Sequence, residues 1–526
     1  MERGFSALRR MLMAVVDNAG LFLFVSFFHA AALCIEPLKW YNEQISMFSQ
    51  YILQSWGISL VVLRLSRRNR LGENALIRTD ILVLNLLVLW IIVPFGIRFG
   101  LTANNVSAWY GYLVMYLGVY ATITELPSAA RRRMLRGISA LFVLLALCMG
   151  IVLLYCAYTG TVLGADVGGM VIGVQDGILY GGVHYNITGM VALGCMMLSL
   201  VSMNVERNPL SKVVGLAAAG IMAVVIVLTQ SRTARYAMLI ALAVGCYGAL
   251  AARFSDRKAI LRHGLAVLCA CLVLAGGYVG ASKLTDLALE HYIRLNEGTQ
   301  GALQSVVSSA AAEEVPEADA AENVVTPAAE TPAPAQAPQG EPLALDAAET
   351  VDAQATAAPE LAVASPSPMP LEAREAVDSS FSGRTEIWIN LARLWAENPK
   401  YLLIGNGVGR TGSQVVEGTL HEDLGGVSIH NTYLQYIADF GLIGFGMQVV
   451  FLVLVLRKAV CVFFASGRRA CPGGRALCMA VVACLATGMM ESAPLGGMTP
   501  MNLVLYFALA QLMAMGRELE RKDVHV

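Results

Sequence analysis

The most informative part of the sequence runs from Phe381 to Gly446. It opens with FSGRTEIWINLARLWAENPKYLLIGNGVG (Phe381–Gly409) and closes, after a polar interval, with SIHNTYLQYIADFGLIGFG (Ser428–Gly446). In order, it contains an arginine, an amphipathic segment, a glycine-rich turn and a histidine, and a long apolar run follows the histidine directly. This order places charged and titratable side chains at the end of a predicted membrane helix. We therefore expect the chemistry of the protein in this stretch.

The composition indicates that the chain folds in a membrane. Of its 526 residues, 56% are hydrophobic and only 14% are charged, whereas a soluble domain carries about 25% charged residues. The net charge of -1 is therefore less informative than where the charges lie. The chain has 11 cysteines, and none falls in the segments that we place outside the membrane. We expect small packing residues rather than a disulfide framework.

Apolar runs long enough to cross a bilayer recur along the chain. A hydrocarbon core of about 30 Å needs roughly 20 helical residues. About twelve such runs predict an all-α polytopic membrane protein with about 12 transmembrane helices. They lie near 15–35, 48–65, 80–97, 108–125, 138–157, 188–204, 211–229, 234–252, 263–281, 430–456, 476–491 and 500–516.

The basic residues give this helical chain an orientation. Clusters such as RRRMLR and RELERK fall on every second side, while connections such as ESAPLGG are poor in lysine and arginine. The positive-inside rule then places both termini in the cytoplasm. No cleavable signal peptide is expected, because the first apolar run lacks a small-residue cleavage site. The predicted organisation is helices 1–9 over 1–281, a large extracytoplasmic loop over 282–429, helices 10–12 over 430–517 and a cytoplasmic tail over 518–526.

Most of the large outer loop has the composition of a linker. Residues 301–379 form an Ala/Pro-rich insertion that is acidic, with tracts such as TPAPAQAPQGEP and no lysine or arginine from Gly301 to Glu372. Such a segment buries too little apolar surface to offset the entropy of ordering it. We expect disorder here. A spacer in the cell wall, or a tether for a partner, is the alternative.

Order is predicted to return with an amphipathic helix over 381–398, which Pro399 ends. Its apolar positions recur at helical spacing, and we expect it to lie at the membrane interface with its tryptophans at headgroup depth. Arg384 lies near its start, where a cation is disfavoured and a partner anion is suggested, although the nearby Glu386 or solvent would also suffice. The apolar positions are Ile387, Trp388, Leu391, Leu394 and Trp395.

Histidine and arginine side chains then meet on the outer side of the predicted topology. His430 opens the next membrane helix, and Arg232 and Arg235 stand in the short outer connection QSRTAR. An imidazole can take a proton from a hydroxyl near neutral pH, and guanidinium groups bind phosphate oxygens with paired hydrogen bonds. The plainer interpretations are a helix cap for the histidine and snorkelling at a helix end for the two arginines. Depletion of arginine on this side argues against snorkelling.

Three segments resemble those of the bacterial O-antigen ligase and O-antigen polymerase family, in the same order and on the same side. They are TQSRTARYAMLIAL (Thr229–Leu242), GRTEIWINLARLWAENPKYLLIGNGVG (Gly383–Gly409) and HNTYLQYIADFGLIGF (His430–Phe445). Helices 1 to 6 match only as hydrophobic spans. The long acidic insertion departs from the better-known members.

The resemblance implies a class C membrane glycosyltransferase of polysaccharide biosynthesis in the cell envelope. The donor would be an oligosaccharide on undecaprenyl diphosphate, and the acceptor a glycan or lipid hydroxyl at the outer face of the bacterial cytoplasmic membrane. Arg232 and Arg384 would hold the diphosphate with support from Arg235, and His430 would activate the acceptor, with Asn431 and Trp388 as supporting residues. No cofactor, metal or nucleic acid is expected; the adjacent Glu422 and Asp423 fit a surface carboxylate pair better than a metal motif.

Two alternatives stay open. A transporter or flippase of lipid-linked glycans would use the same arginines to bind a passing substrate, although no internal repeat is apparent and the residues group at one lip rather than at mid-membrane depth. Kinship with the glycosyltransferases that polymerise peptidoglycan would change the substrate, but their signature residues are not found.

Overall fold

The computed structural model describes fifteen parts of the chain in atomic detail. These are residues 14–15, 17–32, 48–49, 51–63, 78–98, 109–163, 171–175, 177–182, 184–253, 259–313, 380–408, 429–465, 471, 473–491 and 499–523.

Helices make up nearly all of the described chain, as the apolar runs predict. The exception is an antiparallel hairpin of two four-residue strands, β1 (Ile172–Gln175) and β2 (Ile178–Gly181), which the sequence did not predict. The helices, numbered here in chain order, are α1 Ala19–Ala32, α2 Tyr51–Leu63, α3 Thr79–Arg98, α4 over 109–125 with a π-helical middle at Val114–Ala121, α5 Ser128–Thr159, α6 Tyr185–Val205, α7 Pro209–Leu228, α8 Arg232–Arg253, α9 Ala259–Glu313, α10 Ser380–Glu397, α11 Pro399–Ile404, α12 Thr432–Ala465, α13 Gly474–Thr487 and α14 Pro500–Asp523.

The chain is an all-α polytopic membrane protein. Six of the described helices, α5 to α9 and α12, are long and apolar enough to cross a membrane by length and composition, and four shorter apolar helices accompany them. Each of the twelve predicted runs overlaps a helix. The number of twelve spans stays a prediction.

Helices α6 and α9 differ in how deeply they are buried in the bundle. The apolar window of α6 is 78% buried inside the protein, whereas that of α9 is 11% buried. Helix α6 is therefore central, and α9 presents most of its apolar surface outward, as a helix facing lipid does.

The chain divides into two compact units, of which the first comprises 1–296 and 371–526. In the second, 297–370, the structure has the last part of α9, which continues through Glu313. The predicted disordered insertion, 301–379, therefore begins with helix over 301–313. Its residues 314–379 lie outside the described residues.

Helix α12 is broken at Gly441. This glycine has φ +69° and ψ 178°, a conformation that is essentially restricted to glycine. Such a break releases backbone carbonyls from the helical hydrogen-bond ladder, and in a membrane protein these must find other donors. The Trp90 indole Nε1 donates to the carbonyl of Phe440 at 2.8 Å.

The glycine-rich turn after α11 supplies hydrogen-bond donors to the two carbonyls that precede Phe440. The amide of Asn406 donates to Ala438 at 2.8 Å, and the amide of Gly407 donates to Asp439 at 2.9 Å. Glycines at alternate positions are compatible with an anion site made of backbone amides. Here the amides of Asn406 and Gly407 already donate to carbonyls of the protein, so they cannot bind an anion. The turn instead fastens α11, and with it the end of α10, to the break in α12.

A substitution pair tests this contact. A Cβ on Gly441 would lie 2.1 Å from the carbonyl oxygen of Leu403, whereas a Cβ on Gly446, on the same helix, would meet nothing within 4 Å. Gly441→Ala adds this clash to backbone strain of about 1–3 kcal/mol, and we expect a clearly lower Tm. Gly446→Ala should be neutral or stabilise by up to about 1 kcal/mol, because alanine is the better helix former. Thermal unfolding of both variants in one detergent measures the difference; equal Tm values would contradict the role assigned to the break.

Candidate functional site

Glu491 collects polar side chains from three distant parts of the chain. Its Oε1 accepts from Arg384 Nη2 at 3.3 Å and from Asn186 Nδ2 at 3.2 Å, and its Oε2 lies 3.3 Å from His430 Nδ1. The carboxylate is only 10% exposed. A carboxylate this well removed from water needs compensating charge and hydrogen bonds, and here it has both.

Helix α10 positions the Arg384 guanidinium at this cluster. Its Nη1 donates to the carbonyl of Met490 at 2.8 Å, so the arginine binds two successive residues of the segment that follows α13. The partner anion that its place in the sequence suggests is thus a carboxylate of the protein. A guanidinium carries five N–H donors. The three that remain on Arg384 make no hydrogen bond to the described residues, so a bound anion can use them.

The apolar face of α10 fixes its orientation. Leu391 and Leu394 pack with Ile429 and Ala438, which flank and belong to the first turns of α12. Trp388 joins this group and donates its indole Nε1 to the carbonyl of Ile429 at 3.1 Å. Trp388 therefore holds the residue immediately before His430. The interfacial position predicted for α10 stays a prediction.

His430 has a strained backbone and an accessible ring. Its φ is +53°, and among the described residues Gln230 is the other non-glycine residue with a positive φ. Such conformations cost energy and tend to occur at functional sites. An ionised Glu491 can only accept a hydrogen bond, so it favours the tautomer of a neutral His430 in which Nδ1 is the donor and Nε2 has the lone pair. The side chain is 37% exposed.

Asn431 has a structural role beside His430. Its Oδ1 accepts from the amides of Tyr433 and Leu434, each at 3.0 Å, as an N-cap of α12 does. Its Nδ2 donates to the carbonyl of Met489 at 3.1 Å. This predicted supporting residue therefore starts the helix and ties it to the segment that carries Glu491.

Thr432 completes the connection between α12 and Glu491. Its amide donates to the carbonyls of Gly488 at 2.8 Å and Glu491 at 3.1 Å, and its hydroxyl donates to the same Glu491 carbonyl. The backbone of Glu491 is therefore held directly beside His430. The pairing of the two side chains rests on backbone contacts as well as on charge.

Arg232 and Arg235 lie at the start of α8. Arg232 is exposed, and Arg235 is half-buried close to it. Arg235 Nη2 contacts the carbonyl of Val227 and the hydroxyl of Thr285, each at 3.3 Å, so it joins α7 to α9 rather than entering the Glu491 cluster. Its Nε has no partner among the described atoms.

The first turn of α8 is nevertheless at the same end of the bundle as Glu491. Gly189 of α6 approaches it so closely that a Cβ there would lie 2.9 Å from the Cβ of Ser231. Gln230 Nε2 donates to the carbonyl of Gly177 in the turn between β1 and β2 at 2.8 Å. Asn186, one turn before Gly189 on α6, bonds to Glu491. Helix α6 thus links the two regions.

A second histidine belongs to this end of the bundle. His184 caps α6 by accepting from the amide of Asn186 at 3.3 Å through Nδ1. Burial lowers the pKa of His184; the charge of Glu491 acts in the opposite direction, and that of His430 lowers it further. His184 is therefore neutral at neutral pH, with the proton on Nε2.

Sequence reasoning missed Glu491, Asn186 and His184 as site residues. The local signals were weak: Glu491 is the one charged residue of ESAPLGG, and the other two end the glycine-rich loop GGVHYN. Both segments lie in connections that the predicted topology, with cytoplasmic termini and the helix limits given above, places on the outer side. Nothing local reveals that Asn186 and Glu491 meet across 305 residues of chain.

Metal ligands do not group in the described part of the chain. Among the residues that the structure describes, no three His, Cys, Asp or Glu side chains come together as a metal site needs. Glu422 and Asp423 lie outside the described residues.

Comparison with known families covers the centre of the chain. The model of the family described as O-antigen ligase matches residues 217–449. The match contains the three motif segments that carry Arg232, Arg384 and His430, whereas Asn186 and Glu491 lie outside it. No curated protein matches the chain. The family match confirms the resemblance of the motifs: residues 217–449 are similar to the O-antigen ligase family over the stretch that contains all three.

Proposed function

We propose that this protein transfers or polymerises a glycan from an undecaprenyl-diphosphate-linked donor onto an acceptor hydroxyl at the outer face of the cytoplasmic membrane. The family match over residues 217–449 and the long apolar helices support a multi-pass protein of the bacterial inner membrane with a glycosyltransferase-like activity in surface polysaccharide assembly. One observation carries the finer proposal: Arg384 and His430 share one nearly buried carboxylate, each at 3.3 Å.

The diphosphate of the donor binds to arginines in this proposal. Arg384 offers three donors beyond those that it uses on Met490 and Glu491, and a planar guanidinium binds two phosphate oxygens at once. Arg232 supplies a second guanidinium from the start of α8, with Arg235 in support. These cations stabilise the charge that develops on the leaving diphosphate. We infer that the reaction proceeds without a metal ion.

His430 acts as the general base toward the acceptor. The acceptor oxygen forms a bond to the anomeric carbon while the bond from that carbon to the diphosphate oxygen breaks. The hydroxyl proton passes to Nε2 of His430, and undecaprenyl diphosphate leaves with the electron pair. Glu491 orients the imidazole through Nδ1 and stabilises the imidazolium, in the way that a carboxylate supports a catalytic histidine elsewhere.

The topology belongs to the same proposal. Twelve spans, cytoplasmic termini and an outer loop over 282–429 place the Glu491 cluster outside the membrane, where the acceptor is found. The insertion over 301–379 is expected to be dispensable for the chemistry.

The direct test follows undecaprenyl diphosphate. Purified protein in nanodiscs receives an undecaprenyl-diphosphate-linked oligosaccharide and an acceptor, with and without chelator, and mass spectrometry records release of the lipid diphosphate. His430→Asn keeps a residue that tolerates positive φ but removes the base, and we expect a rate loss of about 10²–10⁴-fold. Release should survive chelation. Intact donor that binds but never releases its glycan would favour the transporter or flippase, and a rate within a few fold of wild type would remove His430 as the base.

Arg384→Lys tests the paired contact to phosphate. Lysine keeps the charge but cannot form the planar fork, so donor affinity should fall by about 10- to 100-fold. Arg393→Lys on the same helix is the control, because Arg393 is exposed and makes only a 3.5 Å hydrogen bond to Asn390. Donor binding to the two variants in nanodiscs is compared at fixed salt. Equal affinities would leave Arg384 a structural residue.

Glu491→Gln tests the positioning of the base. The amide has nearly the same shape but carries no charge to stabilise the imidazolium that forms during the proposed transfer, so the rate should drop by about 10-fold or more while donor affinity stays within a few fold of wild type. Donor release and donor binding are measured on the same preparation in nanodiscs, beside its Tm. A rate close to that of wild type would remove Glu491 from the catalytic arrangement, and a lower rate that only follows a lower Tm would mean that Glu491 serves only the fold.

A further inference from the structure

A second polar site lies at the other end of the bundle. Arg457 comes 25 residues after Thr432 on α12, so roughly 38 Å of helix, broken at Gly441, leads from the Glu491 cluster to it. This path is comparable with the roughly 40 Å between the headgroup layers of a bilayer. Between α3, the α4–α5 connection, α12 and α14 is a cavity of about 900 Å³. Its size is that of a ligand site.

Positive charge predominates in the walls of this cavity. Three carboxylates, Asp80, Glu125 and Glu518, line it together with six cationic side chains, so the formal excess is three positive charges. The cationic residues are Arg78, Arg131, Arg457, Lys458, Arg517 and Arg521.

Internal ion pairs account for some of these cations but not all. Asp80 binds Arg78 at 2.9 Å and Arg517 at 2.7 Å. Arg131 pairs with Glu518, and Lys458 pairs with Glu520. In the part of the chain that the structure describes, Arg457 and Arg521 have no carboxylate within ion-pair distance.

One buried side-chain donor at this cavity also has no hydrogen-bond partner. Arg131 is 7% exposed, and its Nε has no hydrogen-bond partner among the described atoms. Leaving such a donor without a hydrogen bond costs free energy unless a ligand or water supplies the acceptor. Helix α5 begins beside the cavity at Ser128, and its cap Pro127 provides no side-chain acceptor. The first amides of α5 therefore add to the anion-binding character that Arg131 gives the site.

The cavity has an apolar wall next to these cations. Leu454 of α12, Met513 and Ala514 of α14 and Leu126 line it together with the charged groups. A free phosphate ion makes no favourable contact with apolar side chains. A phospholipid presents a phosphate and, directly below it, its acyl chains, which can pack against them. Cationic pockets between membrane helices bind anionic headgroups in this way.

We propose that this cavity binds the phosphate of an anionic phospholipid from the leaflet opposite the Glu491 cluster. Arg457 and Arg521 contact the headgroup, the Arg131 Nε and the start of α5 approach the phosphate, and Leu454 and Met513 contact the upper acyl chain. The site is independent of the proposed reaction, since it is formed by other residues at the other membrane face.

The test uses the full chain and measures retained lipid. Protein in mild detergent is titrated with phosphatidylglycerol or phosphatidylcholine in mixed micelles, and bound lipid is counted by native mass spectrometry beside the shift in Tm. The wild type should retain phosphatidylglycerol and gain Tm from it, and phosphatidylcholine should do neither. The double variant Arg457→Gln/Arg521→Gln should bind phosphatidylglycerol about 10- to 30-fold more weakly.

Matched controls make each outcome decisive. Arg132→Gln/Arg133→Gln removes two exposed arginines from the same end of α5 that do not line the cavity, and binding should stay within about twofold of wild type. Inorganic phosphate at millimolar concentration should not displace the lipid. Equal loss in both double variants would reduce the effect to general surface charge and overturn the site. Displacement by phosphate would identify a soluble anion as the ligand instead.

Discussion

The break in α12 at Gly441 is the constraint on which the arrangement of the Glu491 cluster depends. Inside a membrane, carbonyls released from a helix cannot turn to water, so each needs a donor from the protein. The carbonyls of Ala438, Asp439 and Phe440 receive theirs from Asn406, Gly407 and Trp90. The break therefore cannot form without the turn after α11, and the turn has no comparable acceptor on a straight α12. Because the turn continues directly from α10 and α11, satisfying the backbone also delivers Arg384 to the Glu491 cluster.

The Glu491 cluster has one negative group and two groups that can be positive. One carboxylate faces one guanidinium permanently and one imidazole that can gain a proton. When His430 is neutral, Arg384 and Glu491 cancel; when it is protonated, the group gains one positive charge. In the proposed reaction this second state would arise as the acceptor loses its proton and the diphosphate leaves with negative charge. The arrangement therefore becomes more cationic at the step where an anion is released nearby, which is the electrostatic requirement of the proposed reaction.

The sequence predicted the parts of this protein that depend on local pattern. Apolar length located the helices, and the period of the apolar residues after Arg384 predicted α10, because both properties are local. The joining of Asn186 to Glu491 depends on how α6 and α13 pack, and no residue near either one encodes it. Gly441 was visible, but a glycine in an apolar run is equally compatible with a straight helix. The continuation of α9 to Glu313 follows from residues such as Ala302 and Gln304, which form helix readily even where the composition is that of a linker.

Helix α12 extends from the Glu491 cluster at one end of the bundle to the cationic cavity at the other. It begins two residues after His430, and its residues near Arg457 line the cationic cavity, with the break at Gly441 between them. Helix α14 also reaches that cavity, and Gln448 of α12 donates to the Tyr506 hydroxyl of α14 at 3.1 Å in the bundle interior. Buried polar contacts of this kind fix the relative register of two helices more firmly than apolar packing does. A ligand that holds the cavity end of α12 and α14 together therefore contacts the same two helices that, at their other ends, begin just after His430 and after Glu491. The two sites share a scaffold although they share no residue.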